Sequence, residues 1–259
     1  MLLKFVILKN RFLFRNIISD AVSGFLFVII QISFFTNFVI DRLDYKTQTA
    51  IIYFVCGFIL SACCASRITE EIPLLYLRNT LSKKLLFVRN YFWYILKYNV
   101  INKLFLFSLF SILFVIIALP FGIFSIEIVI HLPLFVLSVL LSFFIDVALR
   151  IIFGLAIMKN HNFIILTKTY NQIDRILSGA IVPLSFLPNV IQTIFFCLPF
   201  YFLIFFPLEV LIDGVTMVTI GNKSINGLLV QSILAISITI IARIFFSLRI
   251  KKLQREGSL

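Results

Sequence analysis

Runs of about 20 apolar residues recur along this chain of 259 residues, and they constrain its fold more than any other feature. A helix of that length crosses the hydrocarbon core of a bilayer. The composition agrees, because 61% of the residues are hydrophobic and only 13% are charged, against about 25% charged residues in soluble domains. The chain has too few polar groups to cover a water-facing surface. This excludes a soluble enzyme, a nucleic-acid-binding domain and a disordered chain.

The apolar runs predict an all-α, polytopic membrane protein that forms one domain over residues 1–259. The six predicted spans are residues 21–40, 49–66, 104–121, 132–158, 162–182 and 228–246. In residues 1–16, Lys and Arg residues are distributed along an apolar stretch that has no small-residue cleavage site. They are therefore predicted to form an interfacial helix and not a secretory signal peptide.

Hydropathy does not decide which of two stretches is the fifth span. The stretch 162–182 is long enough to cross a bilayer but contains several polar residues, namely Lys168, Asn171, Gln172, Asp174 and Arg175. The stretch that follows, to Pro207, is more apolar, yet four prolines interrupt it. Either stretch can be the span, and the other is then interfacial or re-entrant. Irregular backbone at membrane depth must be buried in protein or line a cavity.

The positions of the basic residues predict the orientation. If the N-terminus is cytoplasmic and there are six spans, only Arg42, Lys46 and Lys223 of the 23 Lys and Arg residues fall in outside loops. Cytoplasmic loops of membrane proteins carry an excess of Lys and Arg. The sequence thus predicts a multi-pass protein of the cell (plasma) membrane with both termini in the cytoplasm.

The sequence has no phosphate-binding loop, zinc-binding helix motif or nucleophile-turn motif. Its four cysteines lie in apolar runs, away in sequence from His131 and His161, and such cysteines behave as small hydrophobic residues. The sequence therefore predicts no catalytic residue, no metal site and no cofactor bound by this chain. If the protein uses ATP, a partner must supply the site.

Two stretches carry a family resemblance. The first is Ile68-Thr69-Glu70-Glu71-Ile72, followed by Leu77-Arg78 and Leu81-Ser82. The second is the block 177–214, whose matching positions are Ser178, Gly179, Pro183, Leu184, Ser185, Leu187, Pro188, Gln192, Leu198, Pro199, Phe200, Pro207 and Gly214. Together they resemble the membrane subunits of ABC type-2 exporters, in particular a six-span branch. The chain departs from that pattern at Pro73, where a Gly is common, and at Asn79 to Ser82, where an Arg-Pro pair is common.

The resemblance implies a permease subunit that moves an amphipathic drug, peptide or lipid-like molecule outward. It implies a dimer with a second permease, identical or paralogous, on two ABC ATPase subunits that hold ATP and Mg. The fifth span is then the helix 168–182. Residues 183–214 form a re-entrant block of short helices, marked by Gly179, Pro183, Pro188, Pro199 and Pro207. Two other classes stay open: an intramembrane enzyme acting on lipid or peptide, and a membrane scaffold or immunity protein.

Polar residues within spans are candidates for the pathway or a gate. Asp146 and Arg150 stand four apart and share one helix face. The polar residues Lys168, Asn171, Gln172 and Arg175 recur at helical spacing, and such a stripe cannot face lipid. The alternatives are a structural ion pair for Asp146 and Arg150, and solvated first turns for the other four.

The segment after the second span is the candidate ATPase-coupling site. Pro73 favours the first turn of a new helix, in which Leu74, Leu77 and Leu81 form one apolar stripe beside Arg78. An amphipathic helix can dock into a groove of a soluble partner, with Glu70 and Glu71 steering its basic residues. The alternative is a helix that lies flat on lipid.

Overall fold

The structure, a computed structural model, describes residue 26 and the ranges 29–34, 47–64, 67–88, 90–118, 126–214, 216–220 and 223–256. The predicted interfacial helix 1–16 and most of the predicted span 21–40 lie outside the described residues. Within the described ranges the fold is helical apart from one two-stranded hairpin. This confirms the predicted helical class.

Besides the helical residues 29–34, the described ranges contain nine α-helices. They are α1 (Thr47–Cys64), α2 (Ile68–Leu77), α3 (Leu81–Phe87), α4 (Tyr91–Ala118), α5 (Ile126–Ile157), α6 (Phe163–Leu177), α7 (Asn189–Phe196), α8 (Phe205–Asp213) and α9 (Gly227–Arg255). Two 3-10 turns, Leu184–Phe186 and Pro199–Phe202, flank α7. Strands β1 (Met217–Ile220) and β2 (Lys223–Asn226) pair antiparallel, with Met217 opposite Asn226.

Four segments of the described chain are long and apolar enough to cross a membrane. They are Ile51–Leu77, Tyr91–Ile112, Ile130–Ile157 and Gly227–Arg255. Each exceeds the 20 or so residues that a bilayer crossing needs. The chain is therefore a multi-pass membrane protein.

Helix α5 is the centre of the fold. It packs against α2, α4, α8 and α9, and Phe143, Val147 and Ile151 on it are fully buried. A helix that is hydrophobic all round must be surrounded by protein or lipid. Because α5 is surrounded by four other helices, its few polar side chains have to find partners inside the protein.

The bundle has two distinct ends. Helices α5 and α9 run parallel, since Ser138 bonds to Gln231 near one end and Lys159 pairs with Glu256 at the other. Lys159 donates a hydrogen bond to the Glu256 carboxylate and so holds the pKa of that carboxyl below its usual value. We call the end with Lys159 and the α2–α3 segment the charged end. The opposite end, with β1 and β2, is the hairpin end.

The third apolar helix begins earlier than predicted. The span is predicted at 104–121, but α4 is continuous from Tyr91 to Ala118. No Gly or Pro occurs between these residues, so nothing breaks the helix. Lys103, whose charge favours a surface position, is buried because it has an ion-pair partner on α5.

No helix begins at Pro73, which corrects the prediction for this segment. Helix α2 begins at Ile68 and has Pro73 in its interior. A proline there loses one backbone hydrogen bond. The buried side chains Ile68, Thr69 and Ile72 offset that loss, because α2 packs closely against α5.

The predicted leucine stripe is divided between two helices. Helix α2 ends at Leu77, and Asn79 adopts a left-handed φ of 52° before α3 begins at Leu81. Leu81 is buried whereas Leu74 and Leu77 are exposed. The three side chains therefore do not form one surface.

Candidate functional site

Four charged side chains form a continuous buried chain across three helices. Lys103 Nζ of α4 lies 2.7 Å from Asp146 Oδ2 of α5. Arg150 Nε, one turn along α5, lies 2.8 Å from Asp146 Oδ1, and Arg150 Nη2 lies 2.8 Å from Asp174 Oδ2 of α6. No side chain of the four is more than 7% exposed. The signs alternate and sum to zero, which is the arrangement that makes buried charges tolerable.

Lys103 is the first member of this ion chain, and its ammonium has three hydrogen-bond or ion-pair partners. Besides Asp146, its ammonium donates to the carbonyl oxygens of Cys63 at 2.9 Å and Cys64 at 3.0 Å. These carbonyls belong to the last turn of α1, where cations are favoured by the helix dipole. The ring of Phe143 also lies 5.8 Å from the ammonium. Lys103 thereby links α1, α4 and α5.

Arg150 is the centre of the ion chain and links α5 to α6. Its Nη1 donates to Asn171 Oδ1 at 2.6 Å, in addition to the bonds to Asp146 and Asp174. Its guanidinium lies 5.4 Å from the ring centroid of Tyr170. A planar guanidinium can serve several acceptors in fixed directions. The second half of α6 is thus held against α5 by the Arg150 side chain.

The structure brings together only part of the predicted pathway set. Asp146, Arg150 and Asn171 meet in the ion chain, whereas Lys168, Gln172 and Arg175 lie on the exposed face of α6. Sequence reasoning missed two members of the ion chain, Lys103 and Asp174. The signal for Asp174 was its spacing of three from Asn171, which places both on one helix face.

The buried face of α6 is polar along its length. Thr167, Tyr170, Asp174 and Ser178 recur at spacings of three and four, and all four side chains are buried. Their hydroxyl groups and Asp174 Oδ1 have no hydrogen-bond partner among the described residues. Helix α6 is therefore polar on its inner face as well as on part of its outer face.

The helical path is interrupted directly after α6. Gly179 has a left-handed φ of 78°, a conformation that glycine adopts at low cost. Tyr53 of α1 donates to the Gly179 carbonyl at 2.8 Å, and Gln31 donates to the Ile181 carbonyl at 2.8 Å. The path resumes at Phe205, whose N–H donates to the Ser178 carbonyl at 3.0 Å. We call residues 179–204 the inserted segment.

Helices α6 and α8 lie one after the other along α5. Arg150 contacts α6 and, two turns nearer the hairpin end, Ser142 donates to the Phe202 carbonyl at 2.8 Å. Nearer still to that end, a Cβ at Gly214 would collide with the His131 ring. With 15 and 9 residues, the two helices cover about 36 Å at 1.5 Å per residue. They are the two halves of one broken helix.

A second buried polar cluster fixes the return point of the inserted segment. Gln231 of α9 donates to the Ser138 carbonyl at 2.9 Å, to Ser142 Oγ at 3.0 Å and to the Phe202 carbonyl at 3.1 Å. Ser138 Oγ donates to Gln231 Oε1 at 2.9 Å. A fully bonded cluster of this kind favours a single arrangement. The inserted segment is thus tied to both α5 and α9.

The prolines of the block occupy positions that suit them. Pro183 and Pro188 directly precede a 3-10 turn and α7, Pro199 begins the second 3-10 turn, and Pro207 lies in the first turn of α8. Proline is favoured at such positions because the N–H it lacks has no helical partner there. The spacing of the prolines thus sets the lengths of the short helices.

The charged end presents part of the predicted coupling site. Leu77 is 41% exposed, Leu81 is 2% exposed, and Arg78 is exposed beside Leu77. Glu71 is half-buried and lies 3.3 Å from Lys84 of α3. Glu70 is also half-buried. The exposed Leu74, Leu77 and Arg78 and the half-buried Glu70 and Glu71 form a small surface on α2, which we call the α2 surface.

No known family model matches the chain, and no curated protein is significantly similar to it. In the described part of the chain no three His, Cys, Asp or Glu side chains are close enough to hold a metal ion. Four features of the described structure bear on function: the ion chain, the broken helix, the exposed face of α6 and the α2 surface.

Proposed function

We propose that this chain is the transmembrane permease subunit of an ATP-driven ABC type-2 exporter. It moves an amphipathic molecule outward across the cell membrane, and ATP is hydrolysed by a separate partner. The observation that carries the proposal is the broken helix α6–α8, interrupted by the inserted segment. Broken helices at membrane depth are typical of transporters, because irregular backbone is stable there only in protein or at a cavity.

In this proposal the broken helix is the fifth of six spans. Its length of about 36 Å is sufficient for a hydrocarbon core of about 30 Å. The inserted segment, residues 179–204, takes the place of the re-entrant block predicted at 183–214, and the last residues of that prediction belong to α8. The first span includes Gln31, whose bond to the Ile181 carbonyl supports its packing against that block. The remaining four spans are the long apolar helices.

The distribution of basic residues supports a cytoplasmic charged end. Basic side chains at or next to that end include Arg67, Arg78, Lys83, Lys84, Lys159, Arg249, Lys251, Lys252 and Arg255. At the hairpin end, Lys223 is the one basic residue that the structure describes. The positive-inside rule then assigns the charged end to the cytoplasm, and both termini with it.

The outer face of α6 supports a partner in the membrane. Lys168, Gln172 and Arg175 are exposed there, and charged groups are costly against lipid. We place this face at a water-filled route beside a second permease, which is identical or paralogous. Two ABC ATPase subunits with ATP and Mg complete the complex, since this chain has no nucleotide-binding loop.

The α2 surface is the proposed contact with the ATPase. It lies at the charged end and combines the exposed Leu74 and Leu77 with the charges of Glu71 and Arg78. An apolar centre with a charged rim is the usual form of a protein contact. Leu81 is buried and is therefore not part of the proposed contact.

Co-purification tests this proposal. We expect the tagged chain, extracted from its native membrane, to retain an ATPase subunit, and Leu77→Glu to abolish that retention without lowering the amount of inserted protein. Leu86→Glu is the matched control, because Leu86 is exposed on α3 at the same end but outside the α2 surface. Recovery of the chain without any ATPase, or full retention by Leu77→Glu, would contradict the proposal.

A further inference from the structure

Helix α6 separates its charges by face. Its single acidic residue, Asp174, points inward and is neutralised by Arg150 at 2.8 Å. Its two basic residues, Lys168 and Arg175, point outward and are exposed. Neither of them lies within 4 Å of a carboxylate among the described residues. The outer face is therefore cationic although the helix as a whole carries only one excess charge.

The same outer face is also apolar. Ile164, Ile165, Ile173 and Ile176 are each about half exposed and flank the row Lys168, Gln172 and Arg175. The cations recur at a spacing of seven residues, with Gln172 between them, so they lie about two turns apart on one side of the helix. The face combines hydrophobic surface with two positively charged groups.

A second copy of the chain cannot cover this face by direct contact. A twofold-symmetric interface on this face places the same patch on both sides, so the Lys168 and Arg175 side chains of the two copies would all be brought close together. Like charges across an interface are unfavourable by several kcal/mol. Lipid acyl chains do not neutralise the cations either. An amphiphile with an anionic head satisfies both the isoleucines and the basic side chains.

We propose, on the basis of the export function proposed above, that the outer face of α6 binds the transported molecule and selects anionic amphiphiles. The head is a carboxylate, sulfate or phosphate group, and the tail is apolar. The Arg175 guanidinium can bind such a head through two parallel hydrogen bonds, and Lys168 adds a second positive charge. An anionic phospholipid of the bilayer offers the same chemistry. The titrations below distinguish such a resident lipid from a transported amphiphile.

Binding of matched fluorescent probes to the purified chain tests the inference. The chain is placed in nanodiscs of zwitterionic lipid and titrated with dansylamino-undecanoate and with its methyl ester. We expect the anion to bind about tenfold tighter than the ester, equivalent to about 1.4 kcal/mol. The variant Lys168→Gln with Arg175→Gln should remove this preference and leave binding of the ester unchanged.

The control variant is Lys83→Gln with Arg255→Gln, which removes two exposed positive charges at the charged end but none from α6. It should keep the preference. Equal binding of anion and ester, or loss of preference in the control, overturns the inference. Displacement of the anion by phosphatidylglycerol added to the nanodiscs assigns the face to resident lipid and overturns the substrate assignment. These titrations need no ATPase, so their failure is distinct from a failure to co-purify one.

Discussion

At the scale of single residues, the ion chain determines which substitutions the protein tolerates. The order of charges is Lys103, Asp146, Arg150, Asp174, and each carboxylate is bonded to at least one neighbouring cation. Removing one partner of a buried ion pair costs about 3–5 kcal/mol, because the other charge stays buried without compensation. Removal of two neighbouring charges can avoid that loss, but only if each charge that stays in the ion chain keeps a partner.

We predict that two double variants, in which Asp146 is neutralised together with either Lys103 or Arg150, differ in stability. Lys103→Gln with Asp146→Asn leaves Arg150 paired with Asp174, whereas Asp146→Asn with Arg150→Gln leaves both Lys103 and Asp174 without an ionic partner. The first variant should therefore be more stable than Asp146→Asn alone, and the second should not. The thermal midpoint of the detergent-solubilised protein, followed by size-exclusion chromatography, measures the order. Equal midpoints for the two double variants would show that the ion pairs do not act as a chain.

Sequence reasoning could identify part of this site because part of it is local. Asp146 and Arg150 stand four apart on one helix, so their pairing follows from helix geometry. Lys103 lies 43 residues from Asp146 in sequence, and nothing local indicates which helix faces it. The span predicted at 104–121 begins directly after Lys103 and so leaves this residue outside the membrane. The packing of α4 against α5 decides otherwise.

At the scale of elements, the interruption after α6 depends on Gly179. A Cβ at this residue would lie 3.1 Å from Phe205 Cβ and 3.1 Å from the Tyr53 hydroxyl, and φ is 78°. Phe205 is also the residue at which the helical path resumes. Any side chain at position 179 therefore disturbs the junction between the two halves of the broken helix.

We predict that Gly179→Ala destabilises the protein by about 1–3 kcal/mol, the usual range for a strained backbone conformation. Gly57→Ala is the matched control, because Gly57 lies in α1 and its added Cβ would only reach ordinary contact with Leu208 at 3.4 Å. Alanine is the better helix former by about 1 kcal/mol, so this variant should be neutral or more stable. Thermal midpoints of the two variants give the comparison. A midpoint for Gly179→Ala at or above that of Gly57→Ala would contradict the account.

The broken helix and the course of α2 could not be predicted from the sequence, each for a different physical reason. A hydropathy average treats a helix as one uninterrupted run, so it cannot recognise a helix that is broken into α6 and α8 by an inserted segment. Pro73 is a helix breaker by local preference, but burial of α2 against α5 outweighs that preference. The long helix α5, by contrast, is apolar throughout and was predicted from its sequence at residues 132–158.

At the scale of the whole molecule, the orientation follows from the ends of the bundle. We predict that a cysteine at Gln254 reacts with a membrane-impermeant maleimide only from the cytoplasm, and one at Ile225 only from outside. Both side chains are exposed, and the background needs Cys197→Ser because Cys197 is the exposed cysteine. Lys159→Cys serves as a second reporter for the charged end. Labelling of positions 225 and 254 from the same side would contradict the arrangement of α9 as a span.

The net charge of +12 has a different meaning in each part of the molecule. Basic residues at the charged end agree with a cytoplasmic position, Lys103 and Arg150 stabilise the interior, and Lys168 and Arg175 face outward. Composition alone could indicate the first role but not the other two. Those depend on which helix faces which, and that is a property of the folded bundle.

ATP hydrolysis by the purified complex tests whether this chain is a permease subunit. The ATPase that co-purifies with the chain is assayed in liposomes alone, with the wild-type chain, and with the Leu77→Glu variant. We predict that turnover depends on the wild-type chain, rises with an anionic amphiphile, and falls to the level of the isolated ATPase with Leu77→Glu. Turnover that is the same in all three samples would contradict the assignment of this chain as a permease subunit.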